Sequence, residues 1–286
     1  MSKSGMTAEI SVSPPRHAEK ELKSFLEFSA KRKKYRILLR LIFPTMIIII
    51  WQLIGCFGWV TKTVLPTPWE IILAAKNLAV SGVLLANMKV SIIRAACGFV
   101  IGGGLGLALG TLVGLSAKSE SLLDPTLQMV RTIPHLAITP LFILWFGLGE
   151  ESKILLIGLG AFFPLYVNTF LGIRKVDAKL FEVARILEFS KWKQIKLLIV
   201  PSALPNILLG IRLSLGAAWL SLVVAELMGS TAGLGYMMMD ARQFSNTDIV
   251  FVGIIIFAIV GKLTDSLVRL MEKHFLKWQD TYKGEI

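Results

Sequence analysis

Long apolar stretches, nearly free of charge, alternate along this chain with short clusters of lysine and arginine. About 20 consecutive apolar residues are what an α-helix needs to cross the hydrocarbon core of a bilayer. That core offers the backbone no water, so a helix, which satisfies its own amides, is a favoured way through it. Six such stretches can be placed, at about 37–60, 92–115, 126–148, 153–173, 203–228 and 249–271. Only 17% of the residues are charged and 54% are hydrophobic, whereas a soluble domain carries about 25% charged residues. The fold class expected is an all-α integral membrane protein with six transmembrane helices. The chain then divides into a tail at 1–36, the first transmembrane helix at 37–60, an extracytoplasmic connection at 61–90, a core at 86–271 and a tail at 272–286. Leu65-Pro66-Thr67-Pro68 is the breaker in the connection.

This composition excludes a disordered chain, a collagen-like fibre and a disulfide-stapled domain. The only two cysteines, Cys56 and Cys97, each lie in an apolar run and are expected as buried thiols. No Cys/His cluster has metal-ligand spacing, so no metal site is expected. Residues 1–36 hold no apolar segment of the kind a cleavable signal peptide needs. Within them, 17–36 is either an amphipathic interfacial helix, with Leu22, Phe25, Leu26 and Phe28 as its apolar members, or a solvated basic tail.

The net charge of +12 admits two partners, nucleic acid or an anionic membrane surface. Placement decides for membrane lipid and against nucleic acid, because the cations flank apolar runs and no soluble domain carries them. With both termini on the cytoplasmic side, the inside segments hold 23 Lys/Arg and the outside loops hold 5. Three more, Arg94, Arg131 and Arg212, fall within spans.

Gly98, Gly102, Gly106, Gly110 and Gly114 recur every four residues along the second span. That spacing puts them on one helix face, where the missing side chains let another backbone approach.

Ionisable groups inside spans are functional candidates. Arg94 and Arg131 lie near span ends and are expected to snorkel. Arg212 lies roughly 13 Å into the fifth span, counted from Ala203. It is a candidate for drawing an anion into a pathway, or else pairs with a carbonyl or a lipid headgroup. Glu226 lies near the outer end of the same span, as a gate contact or a simply hydrated acid. Asp265 has Lys262 at i−3 and Arg269 at i+4, the spacing of a structural ion pair. His135, between Pro134 and Pro140, is either a pathway ligand or a satisfied buried histidine. The other two histidines, His17 and His274, join no catalytic constellation.

Between the fourth and fifth spans lies a stretch, 177–201, that is neither membrane nor ordinary loop. Asp177 can cap a first short helix on which Leu180, Ala184 and Leu187 share a face. Glu188-Phe189-Ser190 interrupts the pattern. Ser190 can cap a second helix on which Trp192, Ile195 and Ile199 share a face, with Pro201 closing it. Two short amphipathic helices tied to two spans make either a docking element for a partner on the cytoplasmic side or a solvated basic connector.

Glu182-Val183-Ala184, followed by Ile199-Val200-Pro201, resembles the EAA loop of ABC importer permeases. Val183 stands where that family has its middle alanine, and Glu188 where it has the glycine of the turn. Leu123-Asp124-Pro125, Arg131-Thr132-Ile133-Pro134-His135, Pro140-Leu141-Phe142-Ile143-Leu144-Trp145-Phe146-Gly147 and Ala218-Trp219-Leu220 extend the likeness over about residues 65–278. They are most similar to permeases for aliphatic sulfonates, within a group that also carries taurine and nitrate.

The resemblance implies a type I importer core working with a second permease copy, two cytoplasmic ATPase subunits and an extracytoplasmic substrate-binding protein, in a bacterial inner membrane. It implies that Glu182, Ala184, Glu188, Ser190, Trp192, Ile195 and Pro201 belong to the coupling loop. It also implies that ATP is bound by the partner, with no cofactor on this chain. The residues agree: no Gly-x-x-x-x-Gly-Lys-Ser/Thr is present, since Gly261-Lys262 has Ile256 in place of the first glycine and Leu263 in place of the hydroxyl. No enzyme activity is therefore expected. The same machine for taurine, nitrate or a pyrimidine precursor is the nearest alternative. A secondary transporter or channel without an ATPase is the rival of another class. It would need coupling acids or an inverted repeat, and only Glu226 offers the former.

Overall fold

The computed structural model describes residues 42–276 and Trp278. The interfacial helix considered for 17–36 and most of the C-terminal tail lie outside the described residues. Every regular element among the described residues is helical. Of the described residues, those up to Thr61 and those from Lys62 onward form separate compact units.

In the first unit, α1 spans Ile42–Cys56. Its Ile47, Ile48, Ile49 and Ile50 are all exposed, and beyond it the Phe57 and Trp59 rings stack at 6.1 Å. Cys56 is exposed, and so is Cys97 in the second unit. This corrects the expectation of buried thiols. An apolar run marks burial in a soluble core, but on a membrane helix it also covers the face turned to lipid.

In the second unit, α2 (Pro68–Val80) begins at a capping box. The Thr67 hydroxyl accepts from the Glu70 amide at 3.3 Å, and the Glu70 carboxylate accepts from the Thr67 amide at 2.9 Å. Pro68 adds the fixed φ suited to a first helical position. Lys62 reaches the same carboxylate at 2.6 Å. Gly82, at φ +76°, turns the chain into α3 (Val83–Gly98). A π-helical segment (Phe99–Gly103) and α4 (Gly104–Leu115) continue it without a break. The second span therefore starts at Val83 rather than at 92. Residues 61–90 are largely helical, because the apolar pattern resumes immediately after Gly82.

The third span is not one helix. α5 (Ala117–Arg131) and α6 (His135–Phe146) are separated at Thr132–Pro134. Pro134 has extended backbone, and its ring disfavours helix at the residue before it. Pro125 and Pro140, by contrast, are carried inside helices. Then follow α7 (Glu150–Arg174), α8 (Ala178–Ile186), α9 (Lys191–Gln194), a second π-helical segment (Ile195–Ile199), α10 (Val200–Leu227), α11 (Leu234–Gln243) and α12 (Thr247–Phe275). Four continuous helices among the described residues are long and apolar enough to cross a membrane: Val83–Leu115, Glu150–Arg174, Lys191–Leu227 and Thr247–Phe275. The expected first and third spans correspond to the shorter apolar helices Ile42–Cys56 and Ala137–Phe146.

α7 is the hub, packed by α3 and α4 on one side and by α10 on another. The reason for the first contact is the glycine row. A Cβ on Gly98 would strike the Ile157 side chain, one on Gly102 or Gly106 the backbone at Gly158 or Phe162, and one on Gly114 the Ile173 side chain. On Gly110 it would lie 2.7 Å from the Tyr166 carbonyl. Each glycine thus faces α7 at van der Waals range. Lipid tails are as apolar as the helices, so such packing, rather than water expulsion, must supply the attraction. Along the facing stripe of α7 the rings of Phe162, Tyr166 and Phe170 stack in series, 5.9 and 6.3 Å apart and nearly parallel.

Candidate functional site

The stretch between α7 and α10 is built from local rules. Asp177 accepts from the Lys179 amide and caps α8. At the other end, the Glu188 amide donates to the Arg185 carbonyl at 3.1 Å and the Phe189 amide to the Ala184 carbonyl at 2.9 Å. These are the paired bonds of a Schellman ending, which needs a left-handed residue between them. That residue is Glu188, at φ +51°. The turn that glycine ordinarily makes is therefore formed here by a glutamate. Ser190 then caps α9, accepting from the Lys193 amide at 3.4 Å.

The apolar faces differ from those the spacing suggests. Ala184 is buried, and Phe181 packs with Val176, Ile195 and Ile207 against Ile173, Ile199 and Ala203. Leu180 and Leu187, expected on the inner face with Ala184, are exposed. So is Trp192, at 81%, although Ile195 and Ile199 face inward. A nine-residue helix has two apolar faces when Phe181 and Ala184 alternate with Leu180, Val183 and Leu187, and the pattern alone does not say which one the bundle covers. The outward face is an apolar patch of Leu180, Val183, Ile186, Leu187 and Trp192, ringed by exposed Lys179, Arg185, Lys191 and Lys193. Glu182 is exposed beside it. The Lys193 ammonium rests over the Phe189 ring, 4.3 Å from its centre.

Pro201 does not close the second helix. The helix runs unbroken from Lys191 to Leu227. Pro201 has no amide to donate to the turn before it. That turn, Ile195–Ile199, is the π-helical one, a registry in which a missing donor is absorbed without a stop. The second half of the 177–201 stretch, from Lys191 onward, and the long span are thus one rod.

About halfway along the bundle, an open cavity of about 830 Å³ lies between α5, α7, α10 and α12. Arg212 lines it and reaches Asp265 at 2.5 Å. Arg212 therefore pairs with a carboxylate, not with the carbonyl or headgroup expected. Asp265 also holds Arg269 at 2.9 Å and Lys262 at 3.7 Å, the two partners its spacing suggests.

Glu226 is neither the exposed contact nor the hydrated acid expected. It is 1% exposed, and it accepts from the Ser91 hydroxyl at 2.7 Å, from Arg94 at 2.9 Å and from the Gly235 amide at 2.8 Å. Arg94, expected to snorkel, is 3% exposed and also grips Glu150 through two bonds of 2.5–2.6 Å and the Ala232 carbonyl. The Leu234 amide donates to Ser91 and the Gly233 amide to Asn87, each at 2.8 Å. Groups on α3 and α10 thus cap the first turn of α11 from outside it, a task normally local to a helix. Gly233 sits at φ +114°, and a Cβ there would lie 2.5 Å from the Glu226 carboxyl carbon and 2.7 Å from Arg94. Removing one partner of so buried a pair costs about 3–5 kcal/mol. Asn87, Ser91 and Arg94 carried a legible signal, since their i, i+4, i+7 spacing makes one polar stripe on an apolar helix.

His135 meets the Leu156 carbonyl at 3.2 Å through its Nε2. The three residues marked from sequence as pathway candidates therefore do not converge. Arg212 is in the cavity, Glu226 is in the buried cluster, and His135 lies against α7.

Residues 102–277 match the family described as binding-protein-dependent transport system inner membrane component. The "Putative aliphatic sulfonates transport permease protein SsuC" of Bacillus subtilis (strain 168) is 65% identical over 253 residues, covering 88% of this chain and 92% of the relative. The protein of the same description from Escherichia coli (strain K12) is 45% identical, covering 84% and 91%. The taurine transport system permease protein TauC of the same strain is 32% identical, covering 82% and 86%. Among solved structures, a chain of the inward-facing MetNI methionine ABC transporter aligns with a TM-score of 0.53 at 17% identity, over 69% of this chain and 96% of that one. That likeness is one of fold.

Proposed function

This chain belongs to the binding-protein-dependent transport system inner membrane components, and on that premise we propose that it imports aliphatic sulfonates as the permease of an ATP-driven machine. The observation that carries the ATP-driven part is the exposed patch around Trp192 on a stretch continuous with a 37-residue helix. A partner gripping that patch moves α8, α9 and α10 together, and the Ile173–Ile199–Ala203 cluster passes the motion to α7. Energy delivered at one end can thereby reorient the bundle between inward- and outward-facing states. ATP hydrolysis belongs to a separate subunit.

The finer assembly follows from the same reading. Two copies of the chain pair, each docks one ATPase, and an extracytoplasmic binding protein delivers substrate. Both termini and the 177–201 stretch lie in the cytoplasm on this reading, which the basic segments support. Six crossings result when α1 and the broken α5–α6 pair each count as one. The sulfonate assignment leans on the identity to the Bacillus subtilis relative; taurine is the nearest alternative, given the Escherichia coli one. An ion-driven carrier is disfavoured because Glu226, the acid it would use, is already held by Arg94, Ser91 and the Gly235 amide.

The test is growth of a deletion strain on ethanesulfonate as sole sulfur source. The wild-type gene restores growth. Glu182→Lys leaves the protein in the membrane, fails to retain the ATPase on co-purification and does not restore growth. Uptake by Glu182→Lys at the wild-type rate, or uphill transport by the purified chain without any ATPase, overturns the reading.

A further inference from the structure

The donors lining the cavity between α5, α7, α10 and α12 can be accounted for one by one. The Trp219 indole donates to the Phe257 carbonyl at 2.9 Å, the Thr264 hydroxyl to Val260 at 2.9 Å and the Asn168 amide to Pro164 at 2.7 Å. Arg212 is matched by Asp265. Arg131 is different. Among the described residues, it has no carboxylate within ion-pair distance, and its recorded bond is to a neutral amide, the Gln128 Oε1 at 3.2 Å. A guanidinium has five donors, so most of them are left for something else.

Arg131, itself exposed, is linked through that one bond to a buried column. Gln128 donates to Asp124 at 3.3 Å, and Asp124 accepts from the Tyr166 hydroxyl at 2.7 Å. Tyr166 is fully buried in the stacked column of α7. The residue ends α5 where the third span is broken, beside Phe163 and Pro164 near the middle of α7. Broken backbone at membrane depth is tolerated only where protein covers it or a cavity borders it. The rest of the lining, Leu209, Leu213, Leu220 and Trp219 among it, is apolar.

We propose that Arg131 receives the anionic head of the transported substrate in this cavity, an organic sulfonate whose alkyl chain lies against the α10 leucines. The site rests on the function proposed above both for transport and for the word sulfonate. Planar, forked donors suit a multi-oxygen anion, and a cation at depth without a countercharge awaits one. Arg212, neutralised by Asp265, instead serves to keep α10 and α12 together.

The test uses the assembled complex of permease, ATPase and binding protein in proteoliposomes, with radiolabelled ethanesulfonate as probe. Arg131→Gln cuts initial uptake at least tenfold, Arg131→Lys restores a third or more of it, and Arg242→Gln, a cation outside the cavity, stays within twofold of wild type. A second readout addresses the site itself. With Cys56 and Cys97 replaced by serine, ethanesulfonate slows maleimide labelling of Leu213→Cys at least threefold. The uncharged ethyl methyl sulfone does not, and Arg131→Gln removes the protection.

Uptake by Arg131→Gln at the wild-type rate overturns the proposal. So does protection that persists in Arg131→Gln, the result expected if Arg131 binds only a lipid headgroup. If the wild-type complex ignores ethanesulfonate but imports nitrate in an Arg131-dependent way, the anion site stands and the sulfonate reading falls.

Discussion

Glu188 spends its backbone in a region where an L side chain is crowded by its own carbonyl, a cost of about 1–2 kcal/mol. It is tolerated because two hydrogen bonds close around it and because α9 must begin two residues later. Replacing it by glycine removes the crowding and returns part of the gain as greater freedom of the unfolded chain. Glu188→Gly is therefore expected to stabilise the protein by about 1 kcal/mol, read as a rise in the thermal unfolding midpoint in detergent, with uptake retained. A fall in the midpoint would mean that the glutamate side chain makes a contact worth more than its backbone costs. Gly233 is the opposite case. Its φ alone calls for glycine, and Glu226 and Arg94 fill the space a side chain would take.

Among the elements, α2 shows how a short helix is held outside the spans. Its capping box depends on the ionised Glu70, whose carboxyl is pulled from the ordinary 4.5 to about 2, first by the Lys62 ammonium and then by the Thr67 amide, with burial opposing both. A carboxyl with a depressed folded value stabilises the fold above its unfolded value and stops doing so as pH falls through the folded one. The gap in thermal stability between wild type and Glu70→Gln should be constant from pH 7 down to about 4.5. It should then shrink toward zero as pH approaches about 2. A gap that is unchanged at pH 2.5, on calorimetry in detergent, would mean that what Glu70 contributes does not depend on its charge. Element ends also explain what periodicity left open. The start of α3, the break before α6 and the passage through Pro201 turn on Gly82, Pro134 and a π-helical turn. Each is a single backbone event inside a continuous apolar pattern.

For the whole molecule, the distribution of cations makes a topological statement that can be checked directly. On a background lacking Cys56 and Cys97, single cysteines at Lys62 and Arg242 should react with an impermeant maleimide in intact cells. Cysteines at Lys118 and Lys193 should react only after permeabilisation. Labelling of Lys193→Cys from outside would invert the orientation and detach the docking patch from any cytoplasmic ATPase. The structure gives this topology a mechanical form. α7 joins the glycine-lined α3–α4 rod to α10, and the buried Arg94–Glu226 cluster closes the end of the bundle opposite the 177–201 stretch.

Much of this was readable from residue order because it depends on local pattern. Apolar length fixes which segments can enter a bilayer, four-residue glycine spacing marks a close-packed face, and the caps at Asp177 and Ser190 are written within three residues of the groups they satisfy. What residue order could not decide was which distant groups meet. Arg94 and Glu226 are 132 residues apart; one was expected to snorkel and the other to be a gate contact or hydrated, until the fold buried one against the other. Leu180 and Ala184 looked equivalent until the bundle covered one of them. Arg131 stays exposed, as a snorkelling cation would, and only the fold shows that it borders a cavity. In each case the deciding quantity is a side chain's surroundings, and surroundings exist only once helices far apart in the chain have packed.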